Sequence, residues 1–279
     1  MFEALEDFNW REDGQATFGG NLLALYQRLD RRFLKLAEDC AAKEYRFPSH
    51  LPAEILAKID YFHGFPQLMT LPAVLAPAEE NIESFRKDCE LKDGAIPVTE
   101  LAPIKHVLTP AACYHFYPYF EGENLDATLY LTTHAICHRH EEYYEPLQRQ
   151  WNFGMREIVC IGTSDEVQAF LESYEAKANE LVGAIGIEIV WEDATDPFFN
   201  PTQNPKFLAQ KLDPVKKEMV FEGSLAIGST NFHRNYFGEA FSIKAGGEDA
   251  FSGCIAFGLE RWMYAILKQF GTSPESWPG

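Results

Sequence analysis

The chain has 279 residues, of which 46% are hydrophobic, and it carries a formal net charge of −18 at pH 7. This size allows a sizeable core in one large domain or two small ones, and the acidity argues against broad, non-specific nucleic-acid binding. No apolar run approaches the ~20 residues of a membrane span, and the start shows neither a basic leader nor an apolar signal segment. We therefore expect a cytoplasmic protein. The six cysteines lack CxxC pairs, which argues against a disulfide framework or a zinc finger.

The first hundred residues are predicted to be mainly helical. Residues 19–43 place apolar side chains at helical spacing after a Gly-Gly start, which predicts a long amphipathic helix. The next stretch, EYRFPSHLPAEILAKIDYF, predicts a short strand, a proline-marked turn and a second helix. Residues 76–100 are charged and irregular, which predicts exposed helix and loop.

From about residue 106 the pattern favours strands. Residues 164–186 are the exception, because they open with Ser-Asp, keep a 3.6-residue apolar rhythm and end in glycine, which predicts a helix. The end of the chain, SGCIAFGLERWMYAILKQFG, predicts a strand that turns directly into an apolar helix. Five further stretches are rich in β-branched and aromatic residues and predict strands: HVLTPAACYHFYPYF, ATLYLTTHAICHRH, WNFGMREIVCIGT, KEMVFEGSLAI and AFSIKAG. This order predicts an α+β fold with a mostly antiparallel sheet flanked by helices.

Charged residues occur where a buried strand is predicted, in QRQWNFGMREIVCIG. Arg149, Arg156 and Glu157 lie among apolar residues there. An unpaired buried charge costs several kcal/mol, so these groups are exposed, paired or holding a ligand. The sequence contains no GxxxxGK[ST], GxGxxG or GxSxG motif. Arg139 in CHRHEE and Arg261 in FGLERW remain as candidates for binding phosphate, because a guanidinium fork fits phosphate oxygens.

Several segments resemble known enzymes. CHRHEEYYEPLQRQWNFGMREIVCIG resembles motif 2 of the class II aminoacyl-tRNA synthetases, and SGCIAFGLERW resembles their motif 3. The resemblance is closer to the amino acid:[carrier protein] ligases, truncated homologues of atypical seryl-tRNA synthetases. It covers roughly residues 18–279 and implies one class II synthetase-like catalytic domain over residues 1–279, without a tRNA-binding arm. It rests on LTPAACYHFYP, DPFF, GSTNFHRNYFGEAFSI, YRFPSHLPAEIL and YFHGFP as well as on the motif 3 segment.

The resemblance implies a nucleotide site. Arg139 matches the residue that grips the α-phosphate of ATP, Arg261 matches the one that holds the γ-phosphate, and Phe153 matches the aromatic ring on which adenine stacks. The family often has arginine at the position of Gly154, so one contact of the motif 2 loop is expected to be missing.

Other positions fall around the same implied nucleotide. Glu141 and Arg149 match the motif 2 loop that contacts nucleotide. Glu218 matches an acidic residue near ATP and Mg²⁺, and Glu222 is a weaker alternative. Arg156 also occupies a family position, where a structural role remains open.

The resemblance further implies a zinc site and an amino-acid pocket. In this branch two cysteines and a glutamate hold Zn²⁺, which captures the α-amino group of the substrate, and the matching residues are Cys113, Glu157 and Cys254. Three protein ligands leave one tetrahedral position open for such an amine. Asn231 and His233 match positions that line the amino-acid pocket.

The implied reaction has two steps. A small amino acid, glycine or alanine, is activated by ATP as an aminoacyl-adenylate and is then transferred to the phosphopantetheine thiol of a carrier protein. The implied assembly is a homodimer with residues 20–55 near the interface. Two alternatives stay open: aminoacylation of tRNA or another small acceptor, with tRNA disfavoured by the acidic charge, and a non-catalytic amino-acid sensor built on the synthetase fold.

Overall fold

The computed structural model describes residue 2 and residues 5–278. None of the helices in this part of the chain is both long enough and apolar enough to cross a membrane. The helices are α1 Gly20–Glu38, α2 Ala53–Lys58, α3 Tyr61–Gly64, α4 Glu79–Lys87, α5 Phe116–Tyr119, α6 Ser164–Ile185, α7 Pro205–Leu212, α8 Tyr236–Phe241 and α9 Leu259–Phe270. The strands are β1 Phe8–Arg11, β2 Gln15–Phe18, β3 Lys43–Tyr45, β4 His50–Pro52, β5 His106–Leu108, β6 Asn124–Leu125, β7 Leu129–His138, β8 Asn152–Gly162, β9 Ile189–Ala194, β10 Lys216–Phe221, β11 Leu225–Arg234, β12 Lys244–Ala245, β13 Glu248–Asp249 and β14 Phe251–Gly258.

A seven-stranded sheet in the order β3-β7-β8-β14-β11-β10-β9 forms the centre of the fold. Its neighbours pair antiparallel except at the edge, where β3 runs parallel to β7. The prediction of an α+β fold with a mostly antiparallel sheet is confirmed.

Local sequence signals explain the long helices. Leu22, Leu25, Leu29 and Phe33 recur at helical spacing on α1, and all four are buried. In α6, Thr163 and Glu166 form a capping box that satisfies free N–H groups of the first turn. The helix ends at Gly186, which adopts a left-handed conformation with φ of 83°. The helix predicted over residues 164–186 is therefore confirmed. The helix predicted over residues 19–43 is confirmed up to Glu38, but its last residues form a turn and Lys43 begins β3.

The main sheet is covered on both faces, and each face has its own apolar core. On the back face, α1, α6 and α9 pack on alternate strand residues such as Ile158 and Cys160 of β8. On the front face, α2, α5 and α8 pack on Val159 and Ile161 of β8. Because both faces are covered, β8 is buried almost throughout, and the simple alternation of a half-exposed strand is lost.

Two of the predicted strands are wrong over most of their length. In HVLTPAACYHFYPYF only His106–Leu108 is a strand, and a 3-10 helix, Ala112–His115, then leads into α5. Buried aromatic residues such as Phe116 and Tyr117 occur in both strands and helices, so composition alone could not separate strand from helix. In AFSIKAG the beginning belongs to α8 and only Lys244–Ala245 is extended.

Candidate active site

The front face of the main sheet carries a cavity of about 490 Å³ beside β8, β14 and β11. Residues of α3 and α7 complete its wall. The cavity brings together every residue to which the resemblance gives a role, and each role stays a prediction. These residues are Cys113, Arg139, Glu141, Arg149, Phe153, Glu157, Glu218, Asn231, His233, Cys254 and Arg261.

Two arginines form a cationic end of the cavity. Arg139 donates from Nε to the carbonyl oxygen of Pro110 at 3.0 Å, and its guanidinium lies 5.3 Å from the centre of the Phe153 ring. Arg261 donates to two carbonyl oxygens, those of Gln148 at 2.7 Å and Ala226 at 2.8 Å. Carbonyl oxygens orient these guanidinium groups but do not neutralise them, so the remaining N–H donors suit an anionic ligand.

Like charges in this part of the cavity repel one another. Burial, together with the charges of Arg139 and Arg149, lowers the pKa of Arg261 to about 10. Arginine is charged under all ordinary conditions, so the lowered pKa reflects first the cost of burying this charge and then the repulsion from Arg139 and Arg149. A polyanion such as a nucleotide triphosphate would relieve this repulsion.

The remaining predicted nucleotide contacts are ion-paired. Arg149 Nη1 lies 2.8 Å from Glu141 Oε2, and Glu218 Oε1 lies 3.0 Å from the Lys216 ammonium group. Glu222, the weaker alternative to Glu218, lies in the turn between β10 and β11, 3.8 Å from Lys268. Glu218 is thus the one of the two that borders the cavity.

Two thiols meet at the other end of the cavity. The donor atoms of Cys113, Cys254 and His233 all lie within 4.8 Å of one another. The contact between the thiols raises the pKa of Cys113 and lowers that of Cys254, so that one thiolate forms readily and opposes the second. Such a pair is suited to a metal cation, which stabilises both thiolates.

Glu157 reaches this end of the cavity from the middle of β8. Its Oε1 accepts a hydrogen bond from the Ala112 amide at 3.2 Å, while Oε2 is buried without a hydrogen-bond partner among the described residues. Burial and the neighbouring Cys254 raise the pKa of Glu157 to about 8. A buried carboxylate oxygen without a partner is costly, which makes this atom suited to a cation.

Two polar side chains of β11 border the thiols. Asn231 donates to Cys254 Sγ at 3.5 Å, and His233 Nε2 lies 3.7 Å from the same sulfur. The other ring nitrogen of His233 lies 3.1 Å from both Tyr117 Oη and Ser252 Oγ. The sequence placed His233 in the amino-acid pocket and gave no sign that it is near the thiols, because that contact depends on the irregular register between Phe232 and Arg234.

Arg156, the remaining charged residue of β8, is paired with carboxylates and lies outside the cavity. It points to the back face and is 2% exposed, with Asp30 at 2.8 and 2.9 Å and Glu44 at 2.6 Å. These carboxylates come from α1 and β3, so Arg156 joins three parts of the fold. Of the interpretations left open for Arg156, the structural one fits these contacts.

Comparison with known proteins agrees with this arrangement. Residues 104–270 match the family described as the tRNA synthetase class II core domain (G, H, P, S and T). Amino acid--[acyl-carrier-protein] ligase 1 of Bradyrhizobium diazoefficiens is 33% identical over 266 residues, which span 91% of this chain and 81% of the relative. Ligase 2 of the same organism is 32% identical, over 84% of this chain and 71% of the relative.

More distant similarities extend to seryl-tRNA synthetases. The type-2 serine--tRNA ligase of Methanocaldococcus jannaschii is 26% identical over 95% of this chain, which spans only 54% of that relative. The structure of M. kandleri SerRS, solved with A. aeolicus tRNASec, superposes with a TM-score of 0.83 at 22% identity, over 97% of this chain and 56% of that one. This last similarity shows the fold alone. The chain therefore belongs to the class II tRNA synthetase core family and, within it, to the amino acid--[acyl-carrier-protein] ligases.

Proposed function

We propose that this ligase activates glycine or alanine with ATP and transfers the aminoacyl group to the phosphopantetheine thiol of a carrier protein. The observation that carries the proposal is one cavity that combines two kinds of group. In it Arg139 and Arg261 donate to carbonyl oxygens, while the donor atoms of Cys113, Cys254 and His233 lie within 4.8 Å of one another and Glu157 borders the same cavity. The names of the two Bradyrhizobium relatives support the carrier protein as acceptor.

In the first step, a carboxylate oxygen of the amino acid bonds to the α-phosphorus of ATP. The bond from that phosphorus to the oxygen bridging to the β-phosphate breaks, and pyrophosphate leaves. Arg139 and Arg261 are fixed by carbonyl groups before ATP arrives, so they stabilise developing phosphoryl charge without reorganising. Phe153 holds adenine, and Arg149 and Glu141 contact the nucleotide from the motif 2 loop. Glu218 assists in holding the Mg²⁺ that accompanies ATP.

Zn²⁺ fits the thiol end by the chemistry of its donors. Cys113 and Cys254 supply two sulfurs, and the partnerless Oε2 of Glu157 supplies an oxygen, which together form a three-ligand set that leaves a fourth position open. When bound there, the ion would act as a Lewis acid that takes the substrate amine. His233 Nε2 is a competing third donor, since it lies 3.7 Å from Cys254 Sγ.

Two polar side chains lie beside the proposed position of the substrate amine, and the choice of glycine or alanine rests on the resemblance. Asn231 and His233 both lie within 3.7 Å of the Cys254 sulfur. The same two residues orient the amino acid by offering polar groups beside its amine.

In the second step, the carrier thiol loses its proton to water and its sulfur bonds to the carbonyl carbon of the adenylate. The bond from that carbon to the phosphate oxygen breaks, and AMP leaves. No side chain of the enzyme becomes covalently attached to the substrate, so the chain's contribution is to orient the reactants and to exclude water from the adenylate.

We extend the proposal to the assembly: a cytoplasmic homodimer of one catalytic domain over residues 1–279, with residues 20–55 near the interface. The support is that β3, which lies within residues 20–55, ends the main sheet and leaves one side of its backbone without a partner strand among the described residues. Light scattering that gives the mass of a monomer would overturn the dimer and leave the reaction untouched.

Pyrophosphate exchange into ATP, measured with each amino acid in turn, tests the first step. Aminoacylation of a carrier protein with and without its phosphopantetheine arm tests the second, because the arm supplies the thiol. We expect exchange with glycine or alanine and a thioester only on the protein that carries the arm. Exchange accompanied by charging of tRNA but not of the carrier would favour the tRNA acceptor, and absence of exchange with every amino acid would favour a sensor.

A further inference from the structure

Glu260 is a buried carboxylate with no place in the reaction described above. It lies in the first turn of α9, next to Arg261, and is 5% exposed. Both of its oxygens accept from the Gly154 amide, at 3.0 and 2.8 Å. Burial raises the pKa of Glu260 to about 7. Burying a carboxylate costs free energy, so the groups to which it hydrogen-bonds indicate its role.

The amide that Glu260 holds is the one at which the pairing of two strands stops. β8 and β14 pair residue by residue up to Met155 opposite Gly258, so Gly154 lies one residue beyond the last pair. Glu260 follows Gly258 by two residues and supplies the acceptor for Gly154. The backbone pairing of β8 with β14 ends at Met155 and Gly258. Beyond that point, the Glu260 carboxylate keeps β8 in contact with the start of α9.

The back of Gly154 is fixed by a second contact. A Cβ atom at this position would lie 1.9 Å from Tyr26 Oη, so only glycine fits beneath that ring. Tyr26 is itself held by His134, whose Nε2 lies 2.7 Å from the tyrosine oxygen. Gly154 is therefore held between two helices. Tyr26 of α1 packs against it, and Glu260 of α9 accepts a hydrogen bond from its amide.

The residues on either side of this contact belong to the nucleotide site. Phe153 precedes Gly154, and Arg261 follows Glu260. Phe153 and Arg261 are far apart in sequence. The hydrogen bonds between Glu260 and Gly154 connect the residues directly next to them. We propose that Glu260 is a positioning residue, which fixes the ring that stacks on adenine relative to the guanidinium that holds the γ-phosphate. The inference rests on the proposed function, because it uses the roles given there to Phe153 and Arg261.

A purely structural role predicts a different result. An acidic residue in the first turn also stabilises a helix through the helix dipole, and losing it would lower stability without changing how tightly the folded protein binds ATP. The readout is therefore the dissociation constant of Mg-ATP, measured by titration calorimetry on folded protein, alongside the unfolding midpoint of each variant.

Three substitutions of Glu260 distinguish its role as a hydrogen-bond acceptor from the effects of its negative charge and of its side-chain volume. Glu260→Gln keeps an oxygen in reach of the Gly154 amide, Glu260→Asp withdraws it by one methylene, and Glu260→Leu removes it at similar volume. We expect Gln to bind ATP almost as the wild type does, and Asp and Leu to bind it at least roughly tenfold more weakly, because small displacements at a ligand site are costly. Should the Leu variant fail to fold, the comparison of Asp with Gln decides the matter.

Trp262 provides a matched control on the same helix. It is fully buried and packs edge-on against Phe33 at 5.1 Å, on the side away from the cavity. Trp262→Phe is expected to lower the unfolding midpoint and leave ATP binding unchanged. Wild-type affinity in the Asp variant, or an equal loss in Trp262→Phe, would overturn the positioning role.

The wild type separates this inference from the proposed function. If it binds ATP but shows no exchange with any amino acid, the proposed function fails while the series at Glu260 still decides the positioning role. If the wild type binds no ATP, both fail together.

Discussion

Arg156 and Glu157 are adjacent on β8 and both buried, one basic and one acidic, yet they belong to different regions of the molecule. Arg156 faces the back of the sheet, where Asp30 and Glu44 both lie within 2.9 Å of its guanidinium nitrogens. Glu157 faces the cavity, where one of its oxygens has a single amide donor and the other has none among the described residues. The comparison teaches that a buried charge with complete partners holds the fold, whereas one left short of partners marks a place for a ligand.

The arginines extend the comparison. Asp30 and Glu44 neutralise Arg156, whereas Arg139 and Arg261 contact carbonyl oxygens, which orient without neutralising. Substitutions on the back face should therefore lower stability and leave substrate binding intact. Substitutions on the cavity face should weaken substrate binding and leave stability intact. Each prediction below breaks or sharpens that contrast.

The largest effect is expected from Cys113→Ala or Cys254→Ala. Each removes a sulfur donor, so we expect loss of bound zinc and a fall in amino-acid activation that exceeds the roughly 100-fold loss typical of outer-sphere changes. Metal analysis of the purified variants and pyrophosphate exchange measure the two effects. Cys160→Ala is the control, because this cysteine is buried on the back face of the same sheet. Zinc retained by both cavity variants would refute the ligand assignment.

Arg261→Ala should produce the next largest effect. It removes a fixed positive charge from the phosphate end of the cavity, so kcat/KM for ATP should fall roughly 100-fold to 1000-fold. Exchange kinetics at varied ATP, with the amino acid saturating, provide the measurement. The exposed Arg86, paired with Glu83 on α4, gives a control in Arg86→Ala. Unchanged ATP kinetics in Arg261→Ala would count against its role at the γ-phosphate.

Arg156→Met tests the other side of the comparison. Removing the guanidinium leaves Asp30 and Glu44 facing each other across a buried gap, and we expect a loss of about 3 kcal/mol in the free energy of unfolding. This value lies at the low end for a broken buried pair, because the Glu44 side chain is 49% exposed and regains water. Denaturant titration measures the loss. A large change in KM for ATP with unaltered stability would reverse the assignment of Arg156 to the fold.

The sequence predicted the helices on the back face of the sheet better than the residues on its cavity face. Apolar periodicity was enough for α1, α6 and α9, since each buries one face against the sheet. On the cavity face, the residues alone made Arg139 and Arg261 candidates for binding phosphate. The cysteines were reached only through resemblance to known motifs, because no local spacing joins Cys113 to Cys254.

Three features depended on the three-dimensional alignment of distant segments. His233 reaches the thiols through an irregularity in β11, and Glu260 meets Gly154 where the pairing of β8 with β14 ends. The partners of Arg156 come from α1 and β3, more than 100 residues away. Such contacts depend on how distant segments align, which neither composition nor periodicity encodes.

The smallest of the four effects concerns the third donor beside the thiols. Glu157→Gln loses the negative charge but keeps an oxygen ligand at the site. Zinc affinity should therefore fall only roughly 10-fold to 100-fold, as for the loss of a group beside a metal ligand rather than of the ligand itself. Because the proposed ligand set gives the third position to Glu157, His233→Gln should change zinc affinity less. The contacts of His233 Nδ1 with Tyr117 and Ser252 leave its Nε2 available to a metal, so this variant is the decisive comparison. Competition with a chelator of known affinity measures both variants. A greater loss in His233→Gln would make the histidine the ligand. The partnerless oxygen of Glu157 would then need another cation, such as the substrate ammonium group, to account for its burial.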